Sequence, residues 1–467
     1  MRGKGPLFIK SALFLLYFAV GHLLIFGVLL FATPFMIGTT DLEYDIETIR
    51  STSEEKTYAQ LLDDREFSLQ SRIALMDEAK ETLYVSTFTA SDGLTKEIVF
   101  GAMLEAADRG VQVRFVLDGL ARIETVDDYG YLDTLAMHEN IEVRLYEPLN
   151  PLLPHTIQNR LHDKMFIVDD HYATSGGRNI ADRYFLGEAS KIRATYDRDV
   201  LIFGDGPHST VMEMKAYYEE LFYESFAKEY RIRSEKNREV FEDGMRNAYK
   251  QYHDENDLSF VLSEIENTAI EVDRASFIRG PLERGKKYPV VLETIAELAN
   301  HYDEWFIQSP YIIFSDPMMK YLPEYENKNI TFLTNNLAES PNAWARGAYL
   351  LFREDLAELG TLYEFQSRDS IHAKSMIFGE DISVVGALNV DPRSAFLSTE
   401  NMVVIYSEEF RDALYNTMNE YTERSLQVTS EGDYVDNPDV EALEIQWSRR
   451  ISLRLRSIVA RYFAYMF

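Results

Sequence analysis

Between Ser11 and Ile37 the chain carries no Lys, Arg, Asp or Glu, and the run from Ala12 to Met36 is almost wholly apolar. At about 1.5 Å per residue, some 25 helical residues cross the roughly 30 Å hydrocarbon layer of a bilayer. A secretory signal would carry a shorter apolar region, about 7–15 residues, before a small-x-small cleavage site. Pro34-Phe35-Met36 is no such site, so the pattern predicts an uncleaved transmembrane anchor over 1–40. Arg2, Lys4 and Lys10 precede the span and Asp41, Glu43, Asp45 and Glu47 follow it. The excess of basic residues on the first flank puts the N-terminus in the cytoplasm and the body outside a single-pass cell membrane.

Past the anchor two similar sets of strand and helix periodicities follow. Residues 80–90 read as a strand, 97–110 have helical spacing and stop on Gly110, and 111–119 alternate like a strand. A second helix–strand–strand set follows at 290–303, 304–313 and 329–336. Strand–helix–strand units imply parallel pairs with right-handed crossovers. The expected architecture is therefore α/β and bilobal, with halves at 57–207 and 276–430 joined by a charged helical bridge over 208–275. Over 440–467 the pattern is again helical. Ile451, Leu455, Ile458, Val459, Tyr462 and Met466 share one face and the arginines lie mostly elsewhere, which predicts an amphipathic helix on an anionic lipid surface.

Charge sharpens this picture. The 467 residues carry a formal net charge of −30, yet residues 1–40 hold three basic residues and no acid, and 449–467 hold five and no acid. The body is thus still more acidic than the whole chain. Such a surface repels a polyanion, which argues against a nucleic-acid substrate. There are no cysteines, so disulfides, thiolate nucleophiles and Cys-ligated metals are excluded.

The candidate chemistry is duplicated. LHDKMFIVDDHYATSGGRN contains His162, Lys164, Asp169, Gly176, Gly177 and Asn179; IHAKSMIFGEDISVVGALN contains His372, Lys374, Gly386, Ala387 and Asn389. In both, Lys follows His by two residues, Gly by fourteen and Asn by seventeen. One H-x-K is a weak signal; two copies sharing further offsets mark an internal repeat. On a strand, residues two apart face the same side, so His and Lys would point into one site. The glycines would let backbone approach a phosphate, and the asparagines add neutral donors. Two copies face to face would suit a phosphodiester: cations for its oxygens and two imidazoles for a two-step transfer through a phosphohistidine. No metal or other cofactor is needed. A carboxylate should orient each imidazole, and Asp199 and Glu400, each opening an apolar strand downstream of a motif, are the candidates. His155 and His171 converge with no other ligands and read as ordinary. Arg393, in the turn Asp391–Ser394, reads equally as a head-group contact or an internal ion pair.

These residues resemble the phospholipase D superfamily, whose pattern H-x-K-x4-D-x6-G-[SG]-x-N the first copy matches throughout. GGRNIADRYF with YDRDVLIFG, and ALNVDPRS with STEN, resemble bacterial cardiolipin synthases, most closely the C-type branch. The resemblance implies a bilobal fold with its active site between the lobes. It also implies a membrane enzyme acting on phospholipids, making cardiolipin from phosphatidylglycerol and a second phospholipid such as phosphatidylethanolamine. It would make His162 the nucleophile and His372 the acid/base, an order the residues themselves leave open. Asp169 counts with the catalytic motif in this pattern, although it is not expected to touch phosphate. In the second copy Gly379 stands in its place, Ala387 replaces a small hydroxyl or Gly, and Ser398 stands where Asn is common. Two alternatives use the same residues: hydrolysis of phospholipids, if water attacks the phosphohistidine, and a degenerate membrane-tethered lipid-binding protein, for which Gly379 is the one support.

Overall fold

Each β segment of the body is short, rich in Val, Ile and Phe, and bounded by Gly, Asp or Asn, which favours pleated strands with tight connections. The computed structural model describes residues 13–22, 24–25, 38–91, 93–121, 130–187, 192–204, 206, 209–321, 327–340 and 342–463. Its first half contributes β1 (Thr57–Leu62), β2 (Thr82–Thr87), β3 (Gln112–Asp118), β4 (Ile141–Tyr146), β5 (Arg160–Leu161), β6 (Met165–Val168), β7 (Tyr172–Gly176), β8 (Thr195–Tyr196) and β9 (Asp199–Gly204). Then come β10 (Ala227–Glu229) and β11 (Ile270–Val272). The second half contributes β12 (Arg274–Arg279), β13 (Glu304–Gln308), β14 (Asn329–Asn335), β15 (Thr361–Phe365), β16 (Ser370–Ile371), β17 (Ser375–Phe378), β18 (Ile382–Gly386), β19 (Ser398–Thr399), β20 (Asn401–Tyr406) and β21 (Ser425–Val428).

Two large mixed sheets result. The first has the order β10-β4-β3-β2-β6-β7-β9-β1-β11 and the second β12-β20-β18-β17-β13-β14-β15-β21. In each, three strands are parallel (β2, β3, β4 and β13, β14, β15) and the motif strands run against them. The expected helices are present at Leu94–Asp108 and Val290–Asn300. The strand expected over 304–313 stops at Gln308, two residues before Pro310, which has no N–H to donate to a ladder. The bridge contains the helices Thr210–Tyr223, Arg238–Glu255 and Val261–Thr268. It also supplies β10 and β11, which extend the first sheet at both edges.

Each sheet covers one apolar core on its outer face, and a third core lies between the sheets. Ala59, Ile167 and Ile202 meet Phe277, Ile377 and Val403 there. Helix Thr210–Tyr223, leaving the first half, packs on β12 of the second; helix Glu408–Thr422 of the second packs on β1 and β11 of the first. The halves are thus interleaved, which fixes one repeat's motif against the other's.

Among the described residues no helix is long and apolar enough to cross a membrane. Of the expected anchor, residues 13–22 and 24–25 are helical with exposed apolar side chains; 1–12, 23 and 26–37 lie outside the described residues. The C-terminal helix runs Trp447–Phe463, and Met466 lies outside them.

Candidate active site

Two miniature parallel sheets staple the lobes together, and each ends in a histidine facing a carboxylate. β5 of the first half pairs with β19 of the second, Arg160 with Ser398 and Leu161 with Thr399. The next residues along these strands are His162 and Glu400, whose carboxylate lies 2.9 Å from His162 Nδ1. β16 of the second half pairs with β8 of the first, Ser370 with Thr195 and Ile371 with Tyr196. There the next residues are His372 and Asp197, whose Oδ2 is 2.6 Å from His372 Nδ1. Parallel pairing sets the register, so each imidazole is oriented by an acid from the opposite repeat. With Nδ1 bonded to a carboxylate, Nε2 is the ring atom that can meet substrate; in His372 it lies 3.2 Å from Lys374 Nζ.

The residues beside the acids lock this register. Asn401 donates to Asp163 Oδ1 and accepts from Ser175 Oγ, and Tyr217 holds Asp163 Oδ2 at 2.8 Å. Thr399 Oγ1 accepts the His162 N–H at 3.0 Å. At the pseudo-equivalent place Arg198 donates to Gln308 and Ser375 of the other lobe at 2.7 and 3.0 Å and pairs with Asp63 at 2.8 Å. Aromatic edges flank the rings: Phe88 lies against His162 and Tyr184 against His372, with centroids 5.5 and 5.6 Å apart.

Lys164 and Lys374 curl back onto the carbonyl oxygens of His162 and His372, and Lys374 Nζ also lies 2.7 Å from His372 Nδ1. The H-x-K residues are not themselves in a strand; they join β5 to β6 and β16 to β17. Each Lys still returns to the side of its His. Burial, then the neighbouring lysine, pull Lys164 down to about 7; burial lowers Lys374 to about 8. Burial and Lys374 bring His372 to about 4, and burial with both lysines takes His162 well below the ordinary imidazole value. The acids diverge. Burial pushes Glu400 well up, whereas at Asp197 it is outweighed by Lys374 and His372, which hold that carboxylate below its usual range. The site is thus crowded with groups that repel one another's positive charge, and an anion among them would favour their charged forms. Among the described residues, no cluster of three or more His, Asp and Glu side chains is arranged to hold a metal ion.

Several expected site residues do other work. Asp199 does not orient a histidine; it accepts from Arg72 and Arg178 at 2.8 Å each in a buried cluster. The pairing of Gly176 with Asp199 and of Gly386 with Met402 makes Asp199 the counterpart of Met402, and Asp197 the counterpart of Glu400. Superposing the two strand entries, Tyr196-Asp197-Arg198 on Thr399-Glu400-Asn401, was the signal in the sequence that identifies Asp197. Asp169 touches no catalytic group. It sits at φ 52° in the turn after β6, where its carboxylate accepts the backbone N–H groups of Lys80, Glu81 and Thr82 at 2.8–3.1 Å. Gly379 holds the same left-handed turn at φ 60°, a conformation glycine adopts without strain.

The motif glycines leave no room for a side chain. A Cβ on Gly176 would lie 1.9 Å from Asp199 Oδ1, one on Gly177 2.1 Å from Asp197 Oδ1, and one on Gly386 2.4 Å from the Asn401 carbonyl. Asn179 is spent on Thr89 N–H at 3.2 Å and Tyr184 OH at 3.4 Å. Asn389 donates to Ser394 Oγ at 3.4 Å, and its buried Oδ1 has no partner among the described residues.

A family model described as the phospholipase D-like domain of cardiolipin synthase matches residues 73–221 and 295–422. A functionally uncharacterized protein of Helicobacter pylori (strain ATCC 700392 / 26695) is 26% identical over 455 residues, 85% of this chain and 87% of that one. Cardiolipin synthase C of Escherichia coli K12 is 27% identical over 382 residues, covering 72% of this chain and 79% of its own. Among solved structures, phosphatidylserine synthase from Haemophilus influenzae Rd KW20 superposes with a TM-score of 0.62 at 15% identity, over 90% of this chain and 99% of that one, a likeness of fold. The family match spans more than half of the sequence and includes both H-x-K motifs, so the chain belongs to the phospholipase D-like family of the cardiolipin synthases.

Proposed function

We propose that this chain is a membrane-bound phosphatidyltransferase that makes cardiolipin from phosphatidylglycerol and a second phospholipid through a phosphohistidine. The observation that carries the reading is the pair of split dyads: two histidines, each with Nδ1 on a carboxylate of the other half, in one buried cluster with two lysines. Nε2 of one histidine attacks phosphorus. A P–N bond forms as the P–O bond to the leaving head-group alcohol breaks, and the second histidine, as imidazolium, gives that alkoxide its proton. The second histidine then takes the proton of a glycerol hydroxyl of phosphatidylglycerol. That oxygen bonds to phosphorus, the P–N bond breaks, and cardiolipin leaves. Lys164 and Lys374 neutralise the phosphoryl oxygens, as electrostatic stabilisation of this step requires. The relatives named as cardiolipin synthases support the choice of substrate, and His162 is taken as the nucleophile by family likeness. The N-terminal span, with the body outside the cytoplasm, belongs to the same proposal.

Full-length protein in vesicles of phosphatidylglycerol, with and without phosphatidylethanolamine and without divalent metal, is expected to yield cardiolipin. Phosphatidic acid as the main product would replace transfer by hydrolysis, and no turnover of any phospholipid would leave a lipid-binding protein.

A further inference from the structure

The parallel strands of both sheets run toward the histidines. β3 ends at Asp118, which binds Arg160 and the Leu161 N–H; β14 ends at Asn335, which bonds the backbone of Ile371. β4 runs parallel to β3 and ends beside it, Tyr146 opposite Asp118, so the loop after β4 and residues 336–340 after β14 border the mouth of the site, and three elements there expose apolar side chains. The first is the loop between β4 and β5, where Leu149 and Leu152 stand in solvent at 51% and 71% exposure. The second is the N-terminal helical segment, whose His22 Nε2 lies 3.3 Å from the Pro151 carbonyl at the tip of that loop.

The third is the C-terminal helix. Its N-terminal end is fastened to the loop after β14: Arg449 binds the Ala338 carbonyl and Glu339, and Asn336 caps the N–H groups of both. Leu453, Ser457 and Ala460 are buried against helix Ala343–Tyr349, where Gly347 admits the backbone at Arg456. Among the described residues nothing covers the outward stripe. Trp447, Ile451, Leu455, Ile458 and Tyr462 follow at intervals of four, four, three and four residues, one side of a helix, and all are exposed. Trp344 stands beside them, stacked with Arg456. Arg450, Arg454 and Arg461 flank the stripe, are exposed and form no ion pair among the described residues.

We propose that this mouth face is a docking surface for an anionic bilayer, with the C-terminal helix lying in the interface and the loop carrying Leu149 and Leu152 as a second contact. Charge selects the occupant. The stripe is apolar with free guanidinium groups at its border and an aromatic ring at each end, which matches the lipid–headgroup boundary. The body carries a strong excess of acid, so an anionic bilayer repels the body and attracts this basic border, which turns the mouth toward the lipid. The purpose of this orientation rests on the phospholipid-transfer reading; the binding does not.

Two of the three tryptophans, Trp344 and Trp447, lie on the proposed surface and the third, Trp305, is buried, which supplies a probe. Full-length protein is placed in nanodiscs of phosphatidylcholine alone or with phosphatidylglycerol, made with and without brominated acyl chains. The expected result is a blue shift of tryptophan emission and quenching by the brominated chains when phosphatidylglycerol is present. Leu455→Glu with Ile458→Glu abolishes both. Replacing Arg450, Arg454 and Arg461 by Gln lowers the engaged population about fivefold per arginine at low salt. Turnover of a monomeric short-chain phospholipid stays unchanged in these variants, because none of the substituted residues lies in the catalytic cluster. Emission unaffected by brominated lipid in both kinds of disc would overturn the proposal, as would dimers in detergent that the Leu455 and Ile458 substitutions dissociate. Quenching without turnover of any phospholipid would uphold the docking surface and overturn the transferase reading alone.

Discussion

Asp197 and Asp199 stand two residues apart and do opposite jobs, so Asp197→Asn and Asp199→Asn are a matched test of the split-dyad geometry. Asp197 is 1% exposed and 2.6 Å from His372 Nδ1. When His372 becomes an imidazolium during proton transfer, its charge centre lies about 4 Å from the carboxylate. At an effective dielectric of about 20, that pair contributes about 4 kcal/mol, or roughly a thousandfold in rate. An asparagine of the same shape can still accept the Nδ1–H, so the fold keeps its contact and loses the charge. Asp199→Asn instead leaves the buried Arg72 and Arg178 without their shared anion, a loss of about 3–5 kcal/mol of stability, and leaves the site intact. The assay is turnover of phosphatidylglycerol in mixed micelles per folded molecule, beside urea unfolding of each variant. The expected result is a crossed one: Asp197→Asn stable and slowed about a thousandfold, Asp199→Asn destabilised and active. If Asp199→Asn loses activity per folded molecule while Asp197→Asn turns over normally, the assignment of the orienting acid is refuted.

Other outcomes follow from the same geometry. Gly177→Ala puts a Cβ 2.1 Å from Asp197 Oδ1, so activity falls toward that of Asp197→Asn; normal turnover would show that Asp197 can shift at no cost. Asp169→Ala frees three backbone N–H groups and lowers stability by roughly 1–2 kcal/mol with turnover per folded molecule unchanged, checked by the same unfolding and micelle assays. Tungstate, a phosphate mimic, needs both lysines charged. Burial and mutual repulsion set their values at about 7 and about 8, so the anion must draw in a proton at each as pH rises past these values. Inhibition is expected to be level below about pH 7 and to weaken about tenfold per unit for each lysine above its value; a flat profile from pH 6 to 9 would contradict the lysine roles.

Much of the fold was legible because it rests on local signals. The helix ending at Gly110 and the strand after it are written in periodicity, and the duplicated H-x-K offsets place two equivalent motifs in two equivalent halves. The pairing of those halves was not legible. That Glu400 serves His162 and Asp197 serves His372 depends on strands of two residues, β5 with β19 and β8 with β16, too short for any pattern and joined across more than 170 residues of chain. Asp199 and Glu400 both stand at the entry to an apolar strand, so the pattern alone gives them the same role; only the bonded register, with Gly176 opposite Asp199, shifts the role by two residues. The close packing at the glycines was not legible for a related reason: the carboxylates that a Cβ on Gly176 or Gly177 would meet, Asp199 and Asp197, lie at the entry to a strand that only the bonded register brings beside them. Asp163 was invisible as a partner because Asn401, which it binds, is 238 residues away.

The central claim is that one of the two histidines carries the phosphatidyl group while the other moves protons. Its most direct test is to mix the full-length protein with labelled phosphatidylglycerol, quench within the first turnover, digest at neutral to alkaline pH, and map the label by mass spectrometry. A phosphoramidate-linked label is expected on His162 or His372, absent from the alanine variant of that residue, with no cardiolipin formed by either variant. Cardiolipin produced at the wild-type rate by His162→Ala or by His372→Ala would contradict it.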